Sequence, residues 1–170
     1  MSKGNWEAAH SSKNDCWRTP DDVYLPLHKE FDFVLDAAAD AANARCPDYI
    51  DRAKHALSDT PWMSYTSATG SIWCNPPYGR YVGLWLKRAY EAAQRSDCSV
   101  VCLVMASTET RWWAEWVWKA SEVRFLTGRV HFLDENGLPR AACPKGSAIA
   151  VFDPGYDGPP KVSLWKRKPV

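Results

Sequence analysis

Residues 71 to 79 read Ser-Ile-Trp-Cys-Asn-Pro-Pro-Tyr-Gly. The run Ser71 to Cys74 is short, mostly apolar and rich in strand-forming residues, and it predicts a buried strand. A loop must follow, because each of the next two prolines fixes its own φ and lacks a backbone N–H. A helical pattern begins shortly afterwards and predicts a helix over 81–95. Open α/β sheets bind their ligands at the carboxyl ends of strands, so this stretch predicts both a fold class and a site.

The loop Asn75-Pro76-Pro77-Tyr78 suits chemistry on an amino group that is conjugated to a ring or a carbonyl. Such a nitrogen is a poor nucleophile because its lone pair is delocalised. Hydrogen bonds from the NH₂ group to the Asn75 side-chain oxygen and the Pro76 carbonyl would draw the nitrogen toward tetrahedral geometry. Tyr78 offers a flat face on which a base can stack. The alternative is an ordinary surface turn, since Asn-Pro and Pro-Pro are common in loops.

The rest of the chain alternates predicted strands and helices, which indicates an α/β domain with a largely parallel sheet. Thr19 and Pro20 resemble the N-cap and first residue of a helix whose length Pro26 limits. A short strand within Asp51 to Leu57 is a further expectation. The predicted strands are 31–36, 71–74, 99–105, 122–126, 130–133 and 147–152, the last being the end of the sheet, and the predicted helices are 37–44, 81–95 and 108–120.

Length and composition indicate one soluble globular domain of 170 residues with a net charge of +1. We expect a flexible segment 1–16, a catalytic domain 17–155 and a basic C-terminal tail 156–170. The chain contains no apolar run long enough for a membrane span and no N-terminal signal pattern, so we expect a cytoplasmic protein. The cysteines and histidines are scattered without the usual ligand spacing, and we assign no metal.

Asp36 stands at the end of a predicted strand and is followed by Ala37, Ala38 and Ala39. Small residues let a ligand approach the backbone, and a carboxylate at a strand end can accept hydrogen bonds from an ammonium group or a ribose hydroxyl. The chain lacks a Gly-x-Gly or Walker pattern, so neither a dinucleotide fingerprint nor a P-loop is supported. An N-cap role for Asp36 is compatible with ligand binding.

Other residues allow a functional and a structural interpretation. Trp112 and Trp116 are spaced as on one helical face, which favours core packing over base stacking. Phe132 could be a second wall for an extruded base, or a core residue. The residues that could contact DNA phosphates or lie beside them are Gly79, Arg129, Arg140, Lys145 and the basic tail, for which the alternative is a solvated surface.

The chain resembles the phage-type DNA N6-adenine methyltransferases, the small Dam-like enzymes of bacteriophages and prophages. The resemblance spans roughly residues 15 to 152. It rests on Trp17-Arg18-Thr19-Pro20, on Phe33-Val34-Leu35-Asp36-Ala37-Ala38-Ala39 with Asn43 and Cys46, on Trp73-Cys74-Asn75-Pro76-Pro77-Tyr78-Gly79, on Trp85 and Lys87, on Trp112-Trp113, and on Gly128-Arg129 with Phe132.

This resemblance implies a Rossmann-like methyltransferase domain and S-adenosylmethionine as the methyl donor. It implies that Asp36, Ala37, Ala38 and the segment Trp17 to Pro20 contact the donor. It also implies that residues 75–78 form the catalytic loop acting on a flipped adenine in double-stranded DNA. The protein would be a monomer or a homodimer.

The chain departs from the family pattern at His55, where an acidic residue before Ala-Leu is expected. That acidic group helps to hold the adenine of the donor in related enzymes, and Asp51 and Asp59 are substitutes in this chain. Two other functions remain open at this point. The loop also serves enzymes that methylate RNA adenines or a protein glutamine, and a non-catalytic DNA-binding protein could derive from the same fold.

Overall fold

The computed structural model describes residues 17–51 and 55–167, so the expectation for residues 1–16 lies outside the described part of the chain. Within these described residues, the fold has ten regular elements and two short 3₁₀ helices, Trp62–Tyr65 and Val117–Lys119. The ten elements are α1 Asp21–Phe31, β1 Phe33–Asp36, β2 Asp48–Tyr49, β3 Ser71–Cys74, α2 Val82–Gln94, β4 Val100–Met105, α3 Arg111–Glu115, β5 Glu122–Leu126, β6 Ser147–Phe152 and β7 Lys161–Trp165.

The seven strands form one sheet in the order β2-β1-β3-β4-β6-β5-β7. Neighbouring strands pair in parallel except at β6, which runs antiparallel to both β4 and β5. The predicted α/β class with a mostly parallel sheet is therefore confirmed. Because β1, β3 and β4 are parallel, their carboxyl ends meet at one edge, where the loop after β3 begins.

Both faces of the sheet are covered. One core cluster packs Trp85 and Leu86 of α2 and Trp113 of α3 against the strands. The other packs α1 and residues from the segment 127–146, including Phe132, against the opposite face. Every residue from Val100 to Val104 is buried, as expected for a strand in a sheet that is covered on both sides.

The helix predicted over residues 37–44 is wrong, because the chain forms successive turns there. Side-chain oxygens take the backbone N–H groups that a helix would use. Asp40 accepts from the N–H groups of Ala42 and Asn43 at 2.9 and 3.1 Å, and Asn43 accepts from Asp40 at 2.7 Å. Short polar side chains compete with helical hydrogen bonds in this way, and the alanines of the segment do not outweigh them.

Helix α1 also corrects two predictions. Thr19 is buried and Pro20 occupies the N-cap position without a side-chain hydrogen bond. Pro26 lies inside the helix and does not end it. A proline inside a helix costs about 3 kcal/mol, but burial of apolar side chains such as Val23 and Leu27 contributes about 1.5–3 kcal/mol each.

Three further expectations differ from the structure. The helix predicted over 108–120 is split, because Trp116 leaves helical geometry between α3 and the second 3₁₀ helix. Residues 130–133 form no strand; Leu133 makes isolated bridges with Arg18 and with Pro139. Within 51–57, residues 55–57 are a turn and 52–54 lie outside the described residues; the short strand β2 comes earlier.

The sheet does not end at Phe152, because residues 161–165 of the predicted basic tail form β7 beside β5. Val162 and Leu164 alternate with Lys161 and Ser163, which is a strand pattern. They remain 52% and 73% exposed at the sheet's edge. No helix in the described ranges is long and apolar enough to cross a membrane.

Neighbouring residues approach Gly70 very closely, just before strand β3 begins. This close approach provides a test of the fold. A Cβ atom at residue 70 would lie 2.4 Å from the backbone oxygen of Asp32 and 2.6 Å from a Val34 methyl group. We expect Gly70→Ala to lower the free energy of unfolding by about 1–3 kcal/mol, the usual cost of overpacking. Urea denaturation measures it. Gly146→Ala is the control, since its Cβ meets Ala106 at an ordinary 3.7 Å; equal losses in both variants would contradict the steric argument.

Candidate functional site

A cleft of about 440 Å³, part of it open to solvent, lies at the carboxyl edge of the sheet between β1 and β3. Three stretches of chain meet there: the segment before α1, the turn after β1 and the loop after β3. The residues that line it are Trp17, Arg18, Thr19, Asp36, Ala38, Asn43, Arg45, Trp73, Asn75 and Pro77. The parallel pairing of Asp36 with Trp73 places the acidic turn next to the loop.

Asn75 is held by its side-chain nitrogen, which donates a hydrogen bond of 2.6 Å to the main-chain carbonyl of Trp17. Its side-chain oxygen Oδ1 is buried and has no hydrogen-bond partner within the described residues. A buried polar atom without a partner is rare in native structures, because the missing bond costs about 1–3 kcal/mol. This acceptor therefore needs a donor from a ligand or from water.

Asp36 is buried, with 3% of its surface exposed. Its Oδ1 accepts from the backbone N–H of Ala38 at 3.2 Å, and its Oδ2 accepts from that of Arg45 at 3.1 Å. A carboxylate oxygen can accept more than one hydrogen bond, so both oxygens retain capacity toward the cleft. The turn after β1 thus orients the carboxylate through backbone donors.

Burial raises the pKa of Asp36 from its ordinary value of 3.8 to about 6, although the two backbone donors and Arg45 oppose that rise. The carboxylate is therefore mostly ionised at neutral pH, but its ionisation is disfavoured by its surroundings. A cation that binds beside it would stabilise the charged form and bring the pKa down.

Tyr78 belongs to an aromatic cluster with Trp17 and Phe132. The Phe132 ring lies edge-on to Trp17 with centroids 5.1 Å apart, and 5.7 Å from the ring of half-buried Tyr78. The Tyr78 hydroxyl donates to the carbonyl of Leu103 at 3.3 Å, and burial raises its pKa well above the usual range. Phe132 has no exposed surface. It cannot form a wall for a base in this conformation, and instead it supports Tyr78 and Trp17.

Cys74 precedes Asn75, and its thiol is fully buried opposite Cys102 on β4. The pKa of the Cys74 thiol is raised well above its ordinary value, mainly because the thiol is buried and secondly because it is hydrogen-bonded to Cys102. A thiolate is the nucleophilic form of cysteine. This thiol is therefore kept neutral, and the site presents oriented acceptors rather than a thiolate.

The residues predicted to face phosphates have different surroundings. Gly79 and Arg129 are exposed at the same sheet edge as the cleft. The Arg140 guanidinium lies 5.8 Å from the centre of the Trp17 ring. Lys145 donates to Ser107 at 2.9 Å and pairs with Glu109 at 3.2 Å, so an acidic group already offsets part of its charge.

One of the side chains in the expected basic tail is largely buried. Arg167 is largely buried, pairs with Asp22 at 2.8 Å and donates to the carbonyl of Arg129 at 2.7 Å. That side chain therefore ties β7 to α1 and to the start of the segment 127–146. It serves the fold, whereas Lys166 remains exposed.

The cleft collects most of the residues that the sequence indicated for ligand binding, namely Trp17, Thr19, Asp36, Ala38, Asn75 and Pro77. Pro20 and Ala37 lie beside it without lining it. Asn43, Arg45 and Trp73 also line the cleft and were not predicted as site residues, whereas Arg18 belongs to the predicted segment Trp17 to Pro20. Asp36 accepts a hydrogen bond from the backbone N–H of Arg45, and a backbone contact of this kind leaves no signal in the sequence.

Similarity to known proteins agrees with this geometry. A sequence model of the DNA N-6-adenine-methyltransferase (Dam) family matches residues 7–168. The chain belongs to this family. The resemblance found in the sequence is thereby confirmed. The chain is also 36% identical over 73 residues to the "Putative methyltransferase YfdM" of Escherichia coli (strain K12), a match that covers 41% of this chain and 80% of that protein.

Family membership supports DNA adenine methylation as the general activity. The match extends past the end of β7, so it takes in the sheet, the cleft and every described residue. Among residues 17–51 and 55–167, no group of three histidine, cysteine or acidic side chains is placed to hold a metal ion.

The elevated pKa of Asp36 predicts a pH-dependent stability. The pKa of Asp36 is about 6 in the folded protein and 3.8 ordinarily, so between these values the folded protein binds a proton that the unfolded chain does not. Protonated Asp36 therefore stabilises the fold, and this stabilisation is lost as pH rises from about 4 through 6. Relative to wild type, Asp36→Asn should therefore gain in free energy of unfolding over that interval, by about 3 kcal/mol at most.

Urea denaturation of both proteins at several pH values measures this difference. Other titrating groups cancel in the comparison, since both proteins contain them. A difference that stays constant from about pH 3 to about pH 8, an interval that brackets the two pKa values, would show that the fold does not raise the pKa of Asp36.

Proposed function

We propose that the protein transfers a methyl group from S-adenosylmethionine to N6 of an adenine in double-stranded DNA. The observation that carries the proposal is the buried, unpartnered Oδ1 of Asn75, held at the cleft by the hydrogen bond from Nδ2 to Trp17. An exocyclic amino group is a donor of the kind that this acceptor lacks.

The proposed chemistry needs alignment more than it needs a protein nucleophile. Hydrogen bonds from the adenine amino group to the Asn75 oxygen and the Pro76 carbonyl would favour a tetrahedral nitrogen with its lone pair free. They would strengthen as the nitrogen becomes positive during transfer, which is how a fixed acceptor stabilises a transition state. The neutral state of the nearby Cys74 thiol agrees with direct transfer.

The residues of the cleft fit the donor. Asp36 would accept from the ammonium of its amino-acid part, and the positive charge would relieve the cost of a buried carboxylate. S-adenosylmethionine supplies a methyl group on a sulfonium, which is already a good leaving group. Ala38 leaves room beside the turn, and the segment Trp17 to Thr19 would cover the cleft. Asp51, two residues beyond β2, and Asp59 are the acidic groups that would replace the expected residue at His55.

DNA would approach the same edge of the sheet, where Arg80 and Arg129 are exposed and Arg140 lies beside Trp17. These cations would contact phosphates, while the exposed part of the Tyr78 side chain would stack against an adenine turned out of the duplex. Within the duplex the adenine ring is stacked and its N6 amino group is paired, so an enzyme acting on N6 must extrude the base.

The strand order also supports the proposal. An antiparallel β6 is inserted between two strands of an otherwise parallel sheet, and helices cover both faces. We assign the domain to the Rossmann-like methyltransferase class on this basis. Its ligands would lie at the carboxyl ends of β1 and β3, as in other open α/β sheets.

The direct test is incubation with labelled S-adenosylmethionine and unmethylated DNA, followed by digestion to nucleosides. We expect label in N6-methyladenine. Matched reactions with RNA and with protein measure the alternative substrates. Label in glutamine or in RNA alone would assign the same chemistry to another substrate, and no transfer to any of them would contradict the proposed function.

Replacement of Asn75 tests the group that carries the proposal. Asn75→Ala removes the acceptor, and we expect kcat for DNA methylation to fall roughly 10²- to 10³-fold, as for loss of one oriented catalytic dipole. Gln94→Ala is the control, because Gln94 bonds the carbonyls of Asp153 and Tyr156 away from the cleft. Near wild-type turnover by Asn75→Ala would remove Asn75 from the mechanism.

The affinity for the donor should depend on the ionisation of Asp36. As pH falls below about 6, the carboxyl is protonated and the dissociation constant should rise toward tenfold per pH unit. Asp36→Asn should bind roughly 10- to 100-fold more weakly at pH 8 and lack this dependence, the expected loss of a charged hydrogen bond. Calorimetry measures both. Wild-type affinity in Asp36→Asn at pH 8 would show that the carboxylate does not contact the donor.

A further inference from the structure

We infer that the main-chain carbonyl of Trp17 is a positioning group that selects one orientation of the Asn75 amide and so requires asparagine, rather than aspartate, at residue 75. The inference deepens the proposed function and rests on it for the identity of the substrate. It assigns to the Trp17 segment a role in the chemistry, beyond covering the cleft.

The two ends of the Asn75 amide need different partners, because its nitrogen donates hydrogen bonds and its oxygen accepts them. A carbonyl oxygen can only accept a hydrogen bond, so the group that faces Trp17 at 2.6 Å must be the Asn75 NH₂. The Asn75 oxygen is then turned away from Trp17, and it is the end left buried without a partner. In the reverse orientation, two oxygens would face each other at Trp17 and two donors would face each other at the substrate.

The carbonyl can select an orientation only if its own segment is fixed. Arg18 and Leu133 exchange backbone hydrogen bonds, at 3.2 Å from the Arg18 N–H and 2.9 Å from the Leu133 N–H. The Trp17 ring packs edge-on against the Phe132 ring, with their centroids 5.1 Å apart. A rigid segment of chain therefore presents the carbonyl to Asn75.

An aspartate at residue 75 would keep an acceptor for the substrate but lose the donor to Trp17. When ionised, it would place a carboxylate oxygen against the carbonyl, and the side chain would be repelled from its position. When protonated, it would donate its O–H to Trp17 and present its other oxygen to the cleft, as asparagine does. The pH dependence of Asn75→Asp therefore reports the interaction with Trp17.

Among the described residues, three charged side chains line the cleft together with residue 75, namely Asp36, Arg45 and Arg18. Asp36 approaches from the turn after β1 and would favour the protonated form of a new carboxyl group. Arg45 from the same turn and Arg18 from the segment before α1 would favour the ionised form. Behind the loop, the Cys74 thiol is kept neutral by burial. Dividing each rate by the wild-type rate at the same pH removes the titration of these shared groups.

The experiment measures kcat with saturating donor and DNA for wild type, Asn75→Asp and Asn75→Ala, from about pH 5 to about pH 8.5. We expect Asn75→Asp to be roughly 100-fold or more below wild type at the upper end. Its ratio to wild type should rise as pH falls, approaching tenfold per pH unit until the new carboxyl is protonated. Asn75→Ala, which can neither donate nor accept, should stay low throughout.

Two results of this kinetic experiment would overturn the inference. One is an Asn75→Asp enzyme that is near wild type at about pH 8, which would mean that Trp17 does not require a donor. The other is a ratio that falls with decreasing pH, which would mean that the ionised acceptor is the active form. Circular dichroism and donor binding of each variant establish that folding and the donor site are intact.

A second measurement does not depend on activity. In the wild-type protein, one Asn75 side-chain amide proton should exchange with solvent at least roughly tenfold more slowly than those of the exposed Asn136, because it is hydrogen-bonded to Trp17. NMR measures both rates, with Asn75→Asp identifying the signals. Equal rates would contradict the inference. A protected proton in a protein that methylates no adenine would support the orientation and reject only the proposed function.

Discussion

The parallel pairing of β1 with β3 is the constraint on which the site depends. It sets Asp36 beside Trp73, and the Ala37 N–H donates to the Trp73 carbonyl at 2.9 Å. The strand ends are thereby brought level, so that a carboxylate on one and an amide on the other line the same cleft. A shift by one residue would reverse the faces of these side chains and separate them.

The cleft combines groups that are expensive to bury with backbone groups that hold them in place. Asp36 is oriented by the N–H groups of Ala38 and Arg45, and Asn75 by a main-chain carbonyl. Backbone partners are fixed by the fold, so these side chains need little reorganisation when a ligand arrives. Two unfavourable features remain. A bound cation would lower the raised pKa of the Asp36 carboxyl, and an amino group would supply the missing hydrogen bond to the Asn75 oxygen.

The sequence was sufficient for features that depend on local pattern. Helix α2, strands β1, β3 to β6 and the loop at residues 75–78 follow from apolar runs and prolines. It failed where side chains or distant segments compete for the backbone. Asp40 turns an alanine-rich stretch away from helix, and Leu133 pairs with Arg18 rather than with a strand. The orientation of Asn75 could not be predicted, because its partner is a main-chain atom 58 residues earlier.

The segment around Trp17 connects Asn75 to the surface that would meet DNA. Trp17 bonds to Asn75 by its carbonyl, its ring packs on Phe132, and Arg18 pairs with Leu133 within the segment 127–146. That segment has no regular strand or helix and lies at the carboxyl edge of the sheet. A displacement of it on a duplex would be transmitted through two backbone hydrogen bonds to the carbonyl that orients the Asn75 amide. In the proposed complex with DNA, the position of this segment and the alignment of the Asn75 acceptor would therefore be linked.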